Sequence, residues 1–189
     1  MNIGFPGRLI RLDRLSDGPV EWSGPLDADR GVWDLEGVCF AEEPRVVLRI
    51  EETGDGAVRL RGQLGVEIEQ ECRRCLDPAR SQVVVDLDLR FDPEIGPEEE
   101  AETVYALDPQ AAELDLLPAL REELVLALPE FPLCREGCRG LCPSCGGNRN
   151  AIPCDCRNET TDPRWDALRE RFPGNPDAGK SAGDRPDDD

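Results

Sequence analysis

The sequence contains no histidine and very few aromatic residues. Histidine is absent from all 189 residues, aromatic side chains make up 5%, and there is a single methionine and a single tyrosine. The lack of histidine removes the side chain that most often acts as acid or base near neutral pH, and also the commonest ligand of catalytic zinc. The composition therefore disfavours both kinds of catalytic centre.

The chain also lacks a long apolar run. A helix needs about 20 consecutive apolar residues to cross a bilayer, and arginines interrupt even the N-terminal segment MNIGFPGRLIRLDRL. This segment has no uncharged hydrophobic stretch of the kind found in a signal peptide. We therefore expect a cytoplasmic protein with no membrane contact.

Acidic residues greatly outnumber basic ones. The 41 Asp and Glu against 22 Lys and Arg give a formal net charge of −19. Affinity for nucleic acid comes mainly from basic residues that displace counterions from phosphates, so this charge disfavours broad electrostatic binding of nucleic acid. A basic protein is a better match for such a surface.

Alternating apolar and polar residues predict strands between about 31 and 91. The segments are RVVLRIEET, AVRLRGQLGVEIEQE and SQVVVDLDLRF, and their period of two is typical of half-buried strands. Gly54, Asp55 and Gly56 favour a tight turn between the first two, because they tolerate positive φ. We expect an antiparallel, partly barrel-like sheet. In the third segment the apolar face carries Val83, Val85, Leu87, Leu89 and Phe91.

An acidic loop and a helix should follow the strands. Residues 92–113 begin with DPEIGPEEEAE, which has too little apolar surface to offset the entropy lost on ordering. DLLPALREELVLALPEF then has apolar residues at helical spacing, which predicts a helix over about 115–128 that Asp115 caps and Pro129 ends. This amphipathic helix should cover the sheet, so that residues 1–133 form an α+β domain.

The C-terminal part is predicted to differ from this domain. Residues 134–173 combine a cysteine-rich segment with DPRWDALRERF, which favours a short helix with Trp165 and Leu168 packed on the domain. Residues 174–189 are polar and acidic, and we expect a disordered tail.

Eight of the nine cysteines stand in closely spaced groups. A two-residue gap in CRRC and CPSC lets both thiolates of a pair reach one metal ion, and without a signal peptide such density indicates metal binding rather than disulfides. Since structural zinc takes four ligands, we predict two structural zinc ions. The first site comprises Cys72, Cys75, Cys134 and Cys138, and the second Cys142, Cys145, Cys154 and Cys156. The remaining Cys39 should lie in the core.

Two alternatives concern the same residues. A C-x-x-C pair can be a redox centre with a reactive thiol, here Cys75 or Cys145, although that favours a βαβ context that the sequence does not show. The arginines beside the cysteines either offset the negative charge of zinc-thiolate sites or contact RNA phosphate, for which Arg73, Arg74 and Arg139 are the candidates. Both roles remain open.

Residues from about Cys72 to Phe172 resemble a known family. The order CRRCLDP, an acidic spacer, DLLPALREELVLALPEFPLC, CRGLCPSCGGNRN, CDC and DPRWDALRERF is similar to the YceD family, the large ribosomal RNA subunit accumulation proteins. The resemblance implies a bacterial cytoplasmic protein that is needed for normal 23S rRNA levels, with no catalytic residue.

These observations together predict a ribosome-biogenesis factor that is not an enzyme and has no small-molecule substrate. It would support large-subunit assembly by binding a ribosomal protein or a pre-50S particle. Direct rRNA binding through the arginine-rich zinc face is one alternative, and a CxxC thiol oxidoreductase is another.

Overall fold

The computed structural model describes residues 8–27, 33–96, 98, 103–156 and 163–171. Within these ranges the chain is dominated by β-strands and has few helices. The strands are β1 (Leu9–Arg11), β2 (Val20–Pro25), β3 (Cys39–Phe40), β4 (Arg45–Glu52), β5 (Val58–Glu71), β6 (Pro78–Asp92), β7 (Val104–Ala106) and β8 (Glu113–Asp115). The α-helices are α1 (Leu117–Ala127) and α2 (Asp166–Arg171), and 3-10 helices span Leu12–Asp17 and Pro163–Trp165.

The main sheet has the strand order β2-β4-β5-β6-β7, with β3 also paired to β5. Its pairs are antiparallel except β6 and β7, which run parallel, so the expectation of a purely antiparallel sheet is wrong. Among the described strands the two ends of this order do not pair, and the sheet is not a closed barrel. β1 and β8 form a separate two-stranded sheet.

The alternation in β6 divides the sheet into an apolar and a polar face, as predicted. Every apolar residue of the predicted face is at most 8% exposed, whereas Asp86 and Asp88 between them are exposed. The turn between β4 and β5 also forms as predicted, since Gly56 has a φ of 79° and Thr53 and Ala57 are joined by a backbone hydrogen bond of 2.7 Å.

Helix α1 covers the apolar face of the sheet through Leu117, Ala119, Leu120 and Leu124, all of them buried. The Asp115 carboxylate accepts a hydrogen bond of 3.0 Å from the Leu117 N–H, which satisfies one of the free amides at the helix start. At the other end Leu128 is extended, because a residue before proline avoids the helical region.

The segment 92–113 is not wholly a loop, which corrects the prediction. It contains β7 and the start of β8. The many acidic residues of this segment led to the prediction of a loop. Tyr105 is nevertheless buried, and its ring stacks on Phe91 with centroids 5.4 Å apart. This aromatic contact joins β7 to the main core, which the average composition of the segment does not predict.

Two predictions concern the C-terminal part of the chain. Trp165 and Leu168 are 56% and 51% exposed, so the prediction that they pack on the domain is wrong. The predicted acidic tail, 174–189, lies outside the described residues. No helix of the described chain is both long enough and apolar enough to cross a membrane.

Gly62 in β5 provides a test of the sheet's packing. A Cβ at this position would lie 1.9 Å from the carbonyl oxygen of Val47, and its φ is +152°. We expect Gly62→Ala to lower the free energy of unfolding by about 2–4 kcal/mol, because the backbone of β4 must move. Urea denaturation measures the change.

Gly65, three residues further along the same strand, is the matched control. A Cβ there meets nothing within 4 Å, so Gly65→Ala should change stability by no more than about 0.5 kcal/mol. Equal losses from the two substitutions would contradict the close approach of β4 to Gly62.

Candidate metal centre

The first C-x-x-C pair forms the turn between β5 and β6. β5 ends at Glu71 and β6 begins at Pro78. The turn is closed by two backbone hydrogen bonds of 2.9 Å, from Leu76 to the Cys72 carbonyl and from Cys72 to the Asp77 carbonyl. This places both cysteines at one end of the longest hairpin of the sheet.

Cys134 and Cys138 meet this turn from the segment after α1. The Sγ atoms of Cys72 and Cys138 are 3.8 Å apart, and those of Cys75 and Cys134 are 3.6 Å apart. A tetrahedral zinc ion with Zn–S bonds of about 2.3 Å would hold its sulfurs about 3.8 Å apart, while a disulfide joins sulfurs at about 2.05 Å. The spacing fits four ligands of one ion.

A second group of four thiols lies a few residues further along. The Sγ atoms of Cys142, Cys145, Cys154 and Cys156 all lie within 4.8 Å of one another. The structure thus brings the eight cysteines together in the two groups that the sequence spacing suggests. That these groups bind zinc stays a prediction.

The two groups differ in burial. In the first, Cys72, Cys75 and Cys138 are at most 4% exposed, and they form a small buried cluster with Ala79 that is separate from the main core. In the second, Cys145 and Cys156 are exposed. The first group is therefore an internal joint, and the second lies at the surface.

Both C-x-x-C pairs use the same backbone turn. In each, the residue after the second cysteine donates its N–H to the carbonyl of the first, at 2.9 Å for Leu76 and 2.8 Å for Gly146. These two residues have φ of 65° and 71°. Glycine adopts such values freely, whereas a leucine is strained there.

The turn also favours thiolate at the first cysteine of each pair. Burial opposes ionisation of Cys72, but backbone hydrogen bonds from Cys134, Arg74 and Cys75 outweigh it and lower the pKa of Cys72 to about 6. Backbone hydrogen bonds from Cys145 and Ser144 likewise lower the pKa of Cys142 to about 6. Metal ligation requires the thiolate.

The pKa of Cys138 is lowered despite its burial, because the Asn150 side chain donates a hydrogen bond to its sulfur, whereas the pKa of four other thiols is raised. Burial raises the pKa of Cys75 and of Cys134. Hydrogen bonding with Cys142 raises the pKa of Cys154, and interactions with Cys145 and Cys142 raise the pKa of Cys156 to about 12. Four adjacent thiolates need a cation among them, so the donor set is suited to a divalent metal.

Two asparagine side chains lie at the first group, and the cysteine spacing did not predict them. The Asn150 side-chain amide donates to Cys138 Sγ at 3.3 Å, and that of Asn148 donates to Asp77 at 2.7 Å. Such hydrogen bonds orient metal ligands and tune them. The motif GGNRN after the second pair was the available signal, but spacing alone does not show which cysteine an asparagine reaches.

The arginines beside the cysteines have different roles. Arg74 donates to the Cys138 carbonyl at 3.0 Å, and Arg80 pairs with Glu69 at 3.1 Å. The Arg73 guanidinium lies 3.9 Å from the centroid of the Phe131 ring, and Arg139 is exposed. Only some of these arginines are therefore free to contact a partner.

Cys39 belongs to neither group, and its predicted place in the core is wrong. It is half-buried in β3. Its neighbours Val38 and Phe40 pack on the core instead, because alternate residues of an extended segment point to opposite sides.

The comparisons with known proteins bear on the same region. A family model described as "Large ribosomal RNA subunit accumulation protein YceD" matches residues 60–170. The chain belongs to the YceD family. The match runs from β5 to α2 and includes all eight grouped cysteines, so in this YceD protein the family region holds both cysteine groups together with β5 to β8 and α1.

Curated relatives extend the comparison. An uncharacterized protein of Mycobacterium tuberculosis is 36% identical over 124 residues, which cover 65% of this chain and 59% of the relative. One of Mycobacterium leprae is 25% identical over 195 residues, covering 95% and 79%. The Arabidopsis thaliana "Large ribosomal RNA subunit accumulation protein YCED homolog 1, chloroplastic" is 32% identical over 60 residues, covering 32% and 19%.

The matched part of this YceD chain spans about three-fifths of the length of the first mycobacterial relatives. No solved structure matches it.

Single cysteine substitutions test the two groups separately. We expect two zinc ions per wild-type chain, and one after either Cys75→Ser or Cys145→Ser, because three thiolates and a hydroxyl hold zinc far more weakly. Native mass spectrometry counts the ions.

Cys39→Ser is the matched control and should retain both ions. If Cys145→Ser and Cys39→Ser each lost both ions, the prediction of two independent four-thiol sites would be contradicted.

The strained turn at Leu76 gives another prediction. A non-glycine residue in the left-handed region costs about 1–2 kcal/mol, and asparagine tolerates it better. Since Leu76 is 57% exposed, Leu76→Asn should raise the free energy of unfolding by about 0.5–1 kcal/mol, measured by urea denaturation at saturating zinc. Gly146→Ala should have the opposite effect. A loss of stability from Leu76→Asn would show that the leucine side chain contributes packing that outweighs the strain.

Proposed function

We propose that this protein is a non-enzymatic factor that supports 23S rRNA accumulation and large-subunit assembly by binding a basic ribosomal protein or a pre-50S particle. The observation that carries the proposal is the family match, whose description names large ribosomal RNA accumulation, over the region that holds both cysteine groups.

The donor sets favour structural over catalytic metal. Each group supplies four thiols, and a zinc ion bound by four thiolates has no open position for water or substrate. Two structural zinc ions are thus the proposed cofactors. Their role is to fix the segment after α1 against the β5–β6 turn.

The charge near the cysteines favours a protein partner over bare RNA. Residues 72–80 and 131–156 contain six arginines and three acidic residues, but each zinc-tetrathiolate site adds about −2. With both sites loaded this region is close to neutral, and the acidic excess of the chain lies elsewhere. Long-range attraction is therefore directed to basic surfaces.

Direct rRNA contact is the second candidate, and the Arg73–Phe131 pair favours it. Phe131 is 60% exposed, and an exposed aromatic ring under a guanidinium is a surface on which an unpaired base can stack. Arg139 is also available, whereas Arg74 is engaged by the Cys138 carbonyl.

A thiol oxidoreductase is less well supported. Cys75 is 3% exposed, so its sulfur is not accessible to a protein disulfide. Cys145 is exposed but has three other thiols around it. Resistance of Cys145 to alkylation until a chelator is added would exclude this function, because a metal-bound thiolate is protected.

Gradient fractionation tests the proposed function. In cells that express the tagged full chain, we expect it to sediment with pre-50S particles or to co-purify with a basic ribosomal protein. Cells that lack the chain should have less 23S rRNA, and wild-type protein should restore it.

The double variant Arg73→Ala, Arg139→Ala distinguishes the two candidates. Under the proposed function it retains the partner and restores 23S rRNA. If it loses both, and the wild-type chain binds free rRNA with an affinity that falls steeply as salt rises, direct RNA binding replaces the proposal.

A further inference from the structure

The outer edge of β6 is largely unpaired. β6 pairs with β5 from Pro78 to Phe91, but among the described residues its other side pairs with β7 only, over Arg90–Asp92. A long strand edge with free N–H and C=O groups is a template for a further strand.

The hydrogen bonds to β7 show which residues face this edge. The Arg90 N–H donates outward to the Thr103 carbonyl at 2.8 Å, and the Asp92 carbonyl accepts from Leu107 at 2.9 Å. Because successive residues of a strand direct their backbone groups to opposite sides, every even-numbered residue of β6 faces outward. Those before β7 begins are Arg80, Gln82, Val84, Asp86 and Asp88.

Within the described chain no hydrogen bond reaches the backbone groups of these five residues. Pro78 closes the row at one end, because it has no N–H, and β7 closes it at the other end. The open edge therefore has a defined centre, Val84.

We propose that β6 pairs with β6 of a second copy, antiparallel and across a two-fold axis at Val84, to form a homodimer with a continuous sheet. An antiparallel partner must place outward-facing residues opposite one another. The register centred on Val84 is the one that uses all five outward residues of both copies.

The side chains are complementary in this register. Arg80 of one copy stands opposite Asp88 of the other, Gln82 stands opposite Asp86, and Val84 meets Val84 at the axis. Opposite charges and matched pairs across antiparallel strands are favourable, and a two-fold interface requires such self-complementarity. Val84, 59% exposed in one chain, would be covered.

The charge pairs add specificity more than affinity. Arg80 already bonds to Glu69 at 3.1 Å, and Asp88 to Arg59 at 2.7 Å, so the new contacts extend existing surface networks of small energy. The backbone hydrogen bonds and the cover over Val84 supply most of the stabilisation.

Helix α1 supports the same arrangement. It packs against β6, and a two-fold axis perpendicular to the sheet puts both copies of α1 on the same face. Val125 and Leu126 of α1 are 41% and 73% exposed, so each copy has exposed apolar surface on the helix that packs against β6.

Sedimentation of the zinc-loaded full chain tests the dimer. We expect a reversible monomer–dimer equilibrium, which Val84→Lys weakens by at least about tenfold, because two like charges meet at the axis. The matched control is Val47→Lys. Val47 is 62% exposed on the same face but lies in the interior strand β4, so its substitution should leave the dimer unchanged.

Val84→Pro is a second variant that tests the backbone pairing. The Val84 N–H faces the open edge, so proline removes no hydrogen bond to β5, and edge strands tolerate it there. We expect a folded monomer that retains its metal.

Amide hydrogen exchange in the wild-type chain tests the pairing residue by residue. The Gln82, Val84 and Asp86 amides should be protected at high protein concentration and should exchange quickly at low concentration. A chain that is monomeric at all concentrations, or a dimer that Val84→Lys and Val84→Pro leave intact, would overturn the proposal. The charges of β6 would then serve only to keep this edge from aggregating.

Discussion

The joint between the β5–β6 turn and the segment after α1 is the constraint on which the C-terminal half depends. The buried cluster there contains little besides Cys72, Cys75, Ala79 and Cys138. So small an apolar cluster cannot by itself order a segment rich in glycine and arginine. Four thiols spaced for one zinc ion can do so, because the free energy of metal binding then becomes free energy of folding.

The second group of thiols is joined to the first by a tightly packed stretch of backbone. Leu141 donates a backbone hydrogen bond of 2.8 Å to the Arg74 carbonyl, and a Cβ at Gly140 would lie 2.9 Å from that same oxygen. The backbone that connects the two groups therefore packs closely against Arg74 at Gly140 and Leu141. If both groups bind zinc, the more exposed second group should exchange its ion more readily than the first.

Local patterns in the sequence predicted those features that depend on local chemistry. The alternation of apolar and polar residues predicted the strands. Apolar residues at helical spacing together with Asp115 predicted α1, and the cysteine spacing predicted the two groups of thiols. Leu9, Leu12 and Leu15 repeat every third residue, which fits neither a strand nor an α-helix and gave no prediction; the last two lie in a 3-10 helix, whose period is three. Features set by distant parts of the chain were not predictable. The parallel pairing of β7 and the amide of Asn150 on Cys138 both depend on tertiary contacts. The left-handed backbone of Leu76 belongs to the local C-x-x-C turn, but a leucine gives no signal of it.

Zinc K-edge X-ray absorption of the purified protein tests the central claim most directly. The account predicts four sulfur neighbours per zinc at about 2.3 Å, with no nitrogen or oxygen neighbour. A first shell that includes oxygen or nitrogen would mean an incomplete or open site. Purified protein that shows no zinc absorption edge would contradict the metal joint.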